Sequence, residues 1–395
     1  GYIEFEFSAQ DQDVPEDTLT YSLYIGSSLS NKDLIYSGKD TIISVCNLFI
    51  GKTNYWTLVA RDMYGDSINI SGEFDCPNIP NLLHEFVKYD ANYVAKTILD
   101  ISNDTILTRE YTFGTRWDKL ILRIGKTKEG IEIPIDYSCQ TYIGRFSGST
   151  VVYNQIVMMD SHYKKLFKYN FITKSKELVC NYSWEGFRVM VDIEDGMITH
   201  DNGNQNLYVN DSLIAVDAHT PSLSKGIISF IMGNEVYKYD GSNIIDIGGG
   251  STVINNPLSL VRNPLNSNGS IVWSDTNNIV YFHNGTTTIS IGNGTNCKIS
   301  NGQVVWQQNS TVYWYDGSST ISIGSGQNPD ISDGIVVFEK DLNGNKEIYV
   351  YVNNSTYQLT YDSNDDVSPL ISNGNIIWKN INKSTNEVRI MHAYG

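Results

Sequence analysis

Along most of the chain, apolar and polar residues alternate in short runs broken by Asn-Gly and Asp-Gly pairs. Alternation with a period of two marks a strand with one buried face. An Asn-Gly or Asp-Gly pair between two such runs marks a tight hairpin, because both turn positions need positive φ. Residues 331–366, "ISDGIVVFEKDLNGNKEIYVYVNNSTYQLTYDSNDD", read as strand, turn at Asp333-Gly334, strand, turn at "DLNGN", strand, turn at "NNS", strand. This is a four-stranded antiparallel unit. No long stretch has a 3.6-residue apolar period, so few helices are expected.

The unit repeats. "ISNGQVVW" (299–306), "ISDGIVVF" (331–338) and "ISNGNIIW" (371–378) are copies of one octapeptide, and a weaker copy, "SNGSIVW", ends at Trp273. The matching aromatics Trp273, Trp306, Phe338 and Trp378 are 33, 32 and 40 residues apart. Four strands at a period near 40 are the signature of a β-propeller blade. Decaying copies run backward through 256–296, 220–255, 185–219 and 141–184 to a divergent one at 91–140. Each copy meets the same two neighbours, so the repeated aromatic is expected to pack between blades. The last copy has three strands, "VSPLIS", "NIIWKN" and "EVRIMHA", and "LLHEFVKY" (82–89) precedes the first. A ring avoids open strand edges only by closing. The expectation is therefore an all-β chain whose propeller spans 82–395, with strand 82–89 completing the last blade. That makes eight blades, or seven if 91–140 is not a blade.

The repeats also resemble the TolB-like propeller repeats of archaeal, methanogen-type cell-surface proteins, whose blade runs roughly P-x-I-x-G-x-x-I-V-W-x-D-x-R-N-G-N-x-D-I-Y-x-Y. "NPDISDGIVVFEKDLNGNKEIYVY" (328–351) follows that pattern, with Phe338 for Trp and Leu342 for Arg. The resemblance is good over 220–395 and poor over 91–219. It implies an architecture and a surface location, and no particular activity.

Residues 1–76 lack the octapeptide. Leu48 and Tyr55, followed by "W-x-L-V-A-x-D", are similar to the E–F corner and F strand of a fibronectin type III domain, and "SAQDQDVPEDTLTY" is similar to the Asp-rich B–C turn of such modules. The resemblance implies a small β-sandwich over 1–76, a linker at 77–81, and a first strand that is absent from 1–76. "GYIEFEF" alternates Ile3, Phe5 and Phe7 against Tyr2, Glu4 and Glu6, as strand B should. We therefore expect this chain to be part of something longer, or the module to be completed by a strand from a neighbouring subunit. In this reading Cys46 and Cys76 share a pole and could be bridged. Cys139 and Cys180, on outer-strand exits of neighbouring blades, could be bridged too. Cys297 is the odd one out, and buried free thiols are the alternative.

Charge narrows the function classes. A net charge of −16 with only 18% charged residues disfavours nucleic acid and anionic lipid as partners. No apolar stretch approaches the roughly 18 residues of a membrane helix, so membrane insertion is not expected. His84, His162, His200, His219, His283 and His392 show no metal-ligand spacing, and no nucleophile-elbow, P-loop or dinucleotide motif is present. The best cation candidate is "DLNGNKE", with Asp341, Asn343, Asn345 and Glu347 at alternate positions around a Gly, as in short calcium loops. The competing reading is a polar hairpin turn. Asp11, Asp13, Glu16 and Asp17 form a weaker candidate.

Eleven Asn-X-Ser/Thr triplets occur, at Asn69, Asn103, Asn181, Asn210, Asn268, Asn284, Asn293, Asn309, Asn353, Asn354 and Asn382. Most fall in predicted turns, where an acceptor for N-linked glycan must be. Turn chemistry alone would also favour Asn there. The resulting expectation is a non-enzymatic extracellular surface or assembly protein without cofactors, apart from N-linked glycans and a structural calcium. Its partners would be other copies of itself or other cell-surface proteins, with polysaccharide as a further partner. The alternative is a carbohydrate-binding or carbohydrate-active propeller.

Overall fold

The computed structural model describes residues 3–6, 19–39, 41–45, 53–62, 64–75, 86–89, 95–111, 118–124, 130–135, 139–140, 143–157, 163–183, 190–201, 205–233, 235–248, 265–361, 363–386 and 388–393. Cys46, Cys76, the linker 77–81, the acidic group from Asp11 to Asp17, His84 and His162 lie outside these residues. The described residues are all β, with no helix among them.

The N-terminal part contains a four-stranded antiparallel sheet in the order Asn31–Gly38, Thr20–Ser28, Thr53–Arg61, Ser67–Asp75, and a separate pair, Ile3–Glu6 with Ile42–Val45. Tyr21, Leu23, Ile25, Leu58 and Ala60 are buried, and the register Tyr21↔Ala60 and Leu23↔Leu58 puts them on one face.

From Phe86 onward the described residues form eight antiparallel sheets. The first is Ala95–Ser102, Thr105–Tyr111, Asp118–Ile124, Ile131–Ile133. The second is Gly144–Ser147, Thr150–Val157, Tyr163–Asn170, Ser175–Ser183, with Cys139–Gln140 also pairing Thr150–Val157. The third is Val191–Glu194, Met197–Asp201, Leu207–Val209, Ser212–Ala215. The fourth is Ala218–Ser224, Ile227–Met232, Glu235–Tyr239, Ile244–Asp246. The fifth is Leu265–Ser267, Ser270–Ser274, Ile279–His283, Thr288–Asn293. The sixth is Thr295–Ser300, Gln303–Gln308, Thr311–Tyr315, Thr320–Ser325. The seventh is Gln327–Ser332, Ile335–Leu342, Asn345–Val352, Ser355–Gln358. The eighth is Asp365–Ser372, Asn375–Ile381, Val388–Ala393, Phe86–Tyr89. In the eighth, Phe86–Tyr89 runs antiparallel to Val388–Ala393 with Ile390 opposite Tyr89 and Ala393 opposite Phe86.

The octapeptide copies sit across the first hairpins of the fifth to eighth sheets. At "ISNG", Asn301 and Gly302 have φ of 48° and 78°, and at "ISDG", Asp333 and Gly334 have 50° and 81°. Residues after the turn alternate between the two faces. In Val304-Val305-Trp306, Val304 and Trp306 pack on Val272, Val280 and Phe282 of the preceding sheet, while Val305 packs on Val336 and Phe338 of the following one. Trp378 packs likewise on Val337, Ile348 and Val350, and Trp273 on Ile231 and Val236. The repeated aromatic is thus a packing residue between sheets. The inner (first) strand of each sheet lies against the inner strand of the next, and the inner strand of the eighth lies against that of the first. This succession of antiparallel sheets stacked face to face is a β-propeller arrangement.

Candidate functional site

An inner strand has a strand partner on one side only. Backbone groups along its other edge need partners of a different kind, and the inner end of the molecule supplies them from side chains. The serine of "ISNG" stands just before the turn, and its Oγ accepts the backbone N–H of the turn residue in the next sheet. Ser147 takes Asp195 N at 3.0 Å, Ser224 takes Asn268 N at 3.2 Å, and Ser267 takes Asn301 N at 3.0 Å. Ser300 takes Asp333 N at 3.1 Å, Ser332 takes Asn373 N at 3.0 Å, and Ser372 of the eighth sheet takes Asn103 N of the first at 2.9 Å.

Two joints use a different group. Asp100 Oδ2 accepts Phe146 N of the second sheet at 3.1 Å, and Asp192 Oδ2 accepts Leu223 N of the fourth at 2.9 Å. Both aspartates lie three residues before their turns, as does Asp330, which accepts Ile371 N at 2.9 Å. Among the described residues, every joint in the succession therefore carries at least one side-chain-to-backbone bond between inner strands. The turn side chains also bond to one another: Asn268 Nδ2 donates to Asn301 Oδ1, Asn301 Nδ2 to Asp333 Oδ1, and Asn373 Nδ2 to Asn103 Oδ1.

The opposite end of the inner strands has its own set. Each of Thr220, Asn328 and Ser368 has positive φ, at 53°, 51° and 55°. Their N–H groups are taken by Asp201 Oδ2 at 3.3 Å, Gln307 Oε1 at 3.0 Å and Glu339 Oε2 at 2.7 Å of the preceding sheet. On the outer rim, Thr288, Thr320 and Thr356 donate to the carbonyls of Ile247, Ile291 and Ile323 at 2.6, 3.0 and 3.0 Å. Each such bond contributes about 1 kcal/mol net, and leaving the buried partner unsatisfied costs more than that.

The sequence-predicted residues are placed as follows. In "DLNGNKE", Asp341 Oδ1 accepts Gly344 N at 2.7 Å and so closes its own turn. Asn345 donates to the buried Glu347, whose other oxygen accepts Thr360 Oγ1 at 2.6 Å. The register Lys340↔Glu347, Asp341↔Lys346, Leu342↔Asn345 brings Asn345 and Glu347 to one face and puts Asp341 on the other. Lys383 Nζ sits on Asn345 Oδ1 at 2.6 Å and on Gly344 O at 2.7 Å. The four residues are not gathered around one point, and among the described residues no group of three His, Cys, Asp or Glu is arranged to hold a metal.

Cys180 is a free, half-buried thiol on the outer strand of the second sheet. Cys139 is on the opposite edge of that same sheet, three strand spacings or about 14 Å away. The expected bridge between neighbouring blades is corrected accordingly, since a disulfide needs Cα atoms within about 7 Å. Burial, helped by the charge of Asp201, pushes the Cys180 thiol up to about 12. Cys297 is a buried free thiol, likewise pushed up to about 12 by burial.

Of the triplet asparagines, Asn103 and Asn268 lie in first-hairpin turns, Asn309 and Asn382 between second and third strands, and Asn210, Asn284, Asn353 and Asn354 between third and fourth. Asn69, Asn181 and Asn293 are on strands. All are exposed except Asn382, which is half-buried. Thr356, the last residue of the Asn354 triplet, is also one of the rim donors.

His200 stands where six of the other sheets have Trp, Phe or Tyr and the first has Thr108. It stacks on Tyr208 with centroids 5.3 Å apart, as Trp306 does on Tyr313 at 5.7 Å. Burial holds its imidazole below the usual range, and Nδ1 faces Cys180 Sγ at 3.8 Å. It belongs to the packing column rather than to a catalytic pair.

The serine and aspartate latches were missed by the sequence reading, although the signal was present. Serine precedes the turn in every octapeptide, and an alternating strand pattern alone does not require it.

No protein-family model matches the chain, and no curated protein matches its sequence. In structure it is similar to the computationally designed Ika8 protein, at 10% identity, covering 77% of this chain and 98% of that one, with a TM-score of 0.52. It is also similar to the β-propeller domain of the Trilobed protease from Pyrococcus furiosus, at 10% identity, 78% and 95% coverage and a TM-score of 0.46. BamB from Moraxella catarrhalis is a further neighbour, at 9% identity, 79% and 97% coverage and a TM-score of 0.38. At these identities the likeness concerns fold alone.

Proposed function

We propose that the eight sheets are the blades of one closed propeller sealed by Phe86–Tyr89, that a fibronectin type III-like module precedes it, and that the protein is a non-enzymatic extracellular scaffold. The observation that carries this reading is the side-chain bond at every joint, from Asp100–Phe146 round to Ser372–Asn103. Polar groups at the inner end are committed to holding neighbouring blades together. A ring so tied presents its rim and turns in fixed positions, which suits repeated contact with identical subunits or other surface proteins. The exposed asparagines in the rim turns support a glycosylated surface, and the net charge of −16 keeps such a surface soluble.

Native material tests both parts of the reading. Electron microscopy should show the protein in an ordered array or filament, and intact mass should exceed that of the bare polypeptide. Dispersed monomers of bare polypeptide mass would overturn it.

A further inference from the structure

Two residues of "DLNGNKE", Asn345 and Glu347, meet a lysine of the next sheet. Lys383 lies in the turn between Asn375–Ile381 and Val388–Ala393 of the eighth sheet. Asn382 fixes that turn, its Oδ1 accepting Ser384 N and Thr385 N, each at 2.9 Å. Lys383 Nζ donates to Asn345 Oδ1 at 2.6 Å and to Gly344 O at 2.7 Å, and it lies 3.1 Å from Asp365 Oδ1. Asp365 is held in turn by Lys346 N, which donates to it at 3.0 Å. On the far side of the same amide, Asn345 Nδ2 donates to Glu347 Oε1, and Thr360 Oγ1 donates to Glu347 Oε2 at 2.6 Å. Glu347 is buried, whereas the Lys383 side chain is 38% exposed. Carboxylate, amine, carboxamide and carboxylate therefore follow one another across the joint between the seventh and eighth sheets.

We propose that this is a modification site at which Lys383 and Asn345 join in an isopeptide bond, stapling the eighth sheet to the seventh. A surface ion pair accounts for Lys383 and Asp365 alone. It does not account for the amide seated on the same nitrogen, nor for a buried carboxylate bonded to the amide's other end. An amine is a nucleophile once it has lost its proton, and proton acceptors lie within hydrogen-bond reach of both nitrogens, as acid–base catalysis requires. Two groups held in contact on ordered elements also react as one molecule, with effective molarities of about 10⁵–10⁸ M. The step happens once in the life of a molecule, so a slow rate suffices.

Atoms and charge balance without a co-reactant. Asp365 takes one proton from the Lys383 ammonium and leaves the neutral amine. Its flexible stem lets Nζ swing over the amide plane. The Nζ–Cγ bond forms, and an electron pair of the carbonyl moves onto Oδ1. Nζ then gives up a proton, and Nδ2 receives one through Glu347, to which it is already hydrogen-bonded. The Cγ–Nδ2 bond breaks as the carbonyl re-forms, and Nδ2 leaves as ammonia through the exposed side of the site. Ammonia takes the proton held by Asp365. One lysine ammonium and one asparagine amide thus become a secondary amide and one ammonium ion, both carboxylates are unchanged, and nothing is oxidised or reduced.

Mass spectrometry of the full chain, made in a host that adds no N-linked glycan, tests this. The folded protein is incubated in mildly alkaline buffer, where the neutral amine is more abundant, and then digested with trypsin. Intact mass should fall by one ammonia, and the digest should contain a branched peptide joining positions 383 and 345, with no cleavage after Lys383. Lys383→Arg sits in an exposed turn and keeps a cation beside Asp365, so it should fold, retain its full mass and give no branched peptide. Glu347→Gln keeps both reacting groups and should lose most of the link. Full mass in the parent after incubation, with cleavage after Lys383, would overturn the proposal. So would a loss of ammonia that persists in Lys383→Arg, since it would come from another asparagine. Undiminished linkage in Glu347→Gln would overturn the part given to that carboxylate.

Discussion

At six of the eight joints a single serine hydroxyl ties neighbouring sheets together. Ser300 Oγ lies 3.1 Å from Asp333 N, and the same bond recurs at five further joints. Ser300→Ala should lower stability by about 1 kcal/mol in urea denaturation, without changing the denaturant slope. Adding Ser224→Ala, at a joint with a different pair of blades, should sum with it to within a few tenths. No change in either would mean that water replaces the hydroxyl. The serine is conspicuous in the octapeptide, yet the hairpin and the buried face are fully explained by Asn-Gly and Val-Val-Trp. What serine does depends on an edge in another sheet, and alternation within one sheet says nothing of that edge. The candidate calcium residues failed to gather for a related reason. Alternate spacing around Gly344 implied a loop, but the segment is a two-strand hairpin whose pleat sends Asp341 and Glu347 to opposite faces.

At the level of the element, the sheets were readable and their junctions were not. Strand, turn and aromatic spacing gave the four-strand units over 220–395, and 86–89 pairs with 388–393 as the three-stranded last copy implied. The divergent units over 95–215 were readable only by extension, because Thr108, Tyr153 and His200 replace the tryptophan that makes the repeat visible. The glycines closing "SIGNG" and "SIGSG" also have a role that only the packed structure reveals. A Cβ on Gly326 would lie 2.3 Å from Phe338 Cδ2 and 2.9 Å from Glu339 O, so the chain passes to the seventh blade directly over its aromatic. Gly294 is equally tight, with Gln307 O at 2.3 Å and φ of 149°. Gly326→Ala and Gly294→Ala should each cost about 1–3 kcal/mol, the range for overpacking a filled site. Thermal unfolding should show a lowered midpoint for both. Gly344→Ala has open space around it and is strained only by its φ of 87°, so it should cost less. A neutral Gly326→Ala would contradict the packing described for this junction.

For the whole molecule the central claim is that a chain of repeats returns to its start. Among the described residues, segments far apart in sequence meet in the eighth sheet, where Phe86–Tyr89 pairs Val388–Ala393, and where that sheet lies against the first. There the exposed turn residues Asn373 and Asn103, 270 positions apart, are hydrogen-bonded through their side chains. An open or shorter array would leave these turns far apart, so their proximity reports closure directly. The measurement is to place cysteines by Asn103→Cys and Asn373→Cys, treat the dilute protein with a short bis-thiol cross-linker, and read intact mass and peptide map. A closed ring predicts an intramolecular link between positions 103 and 373 in most molecules, formed under native conditions and lost in urea. Two separately modified cysteines with no link between them would contradict it.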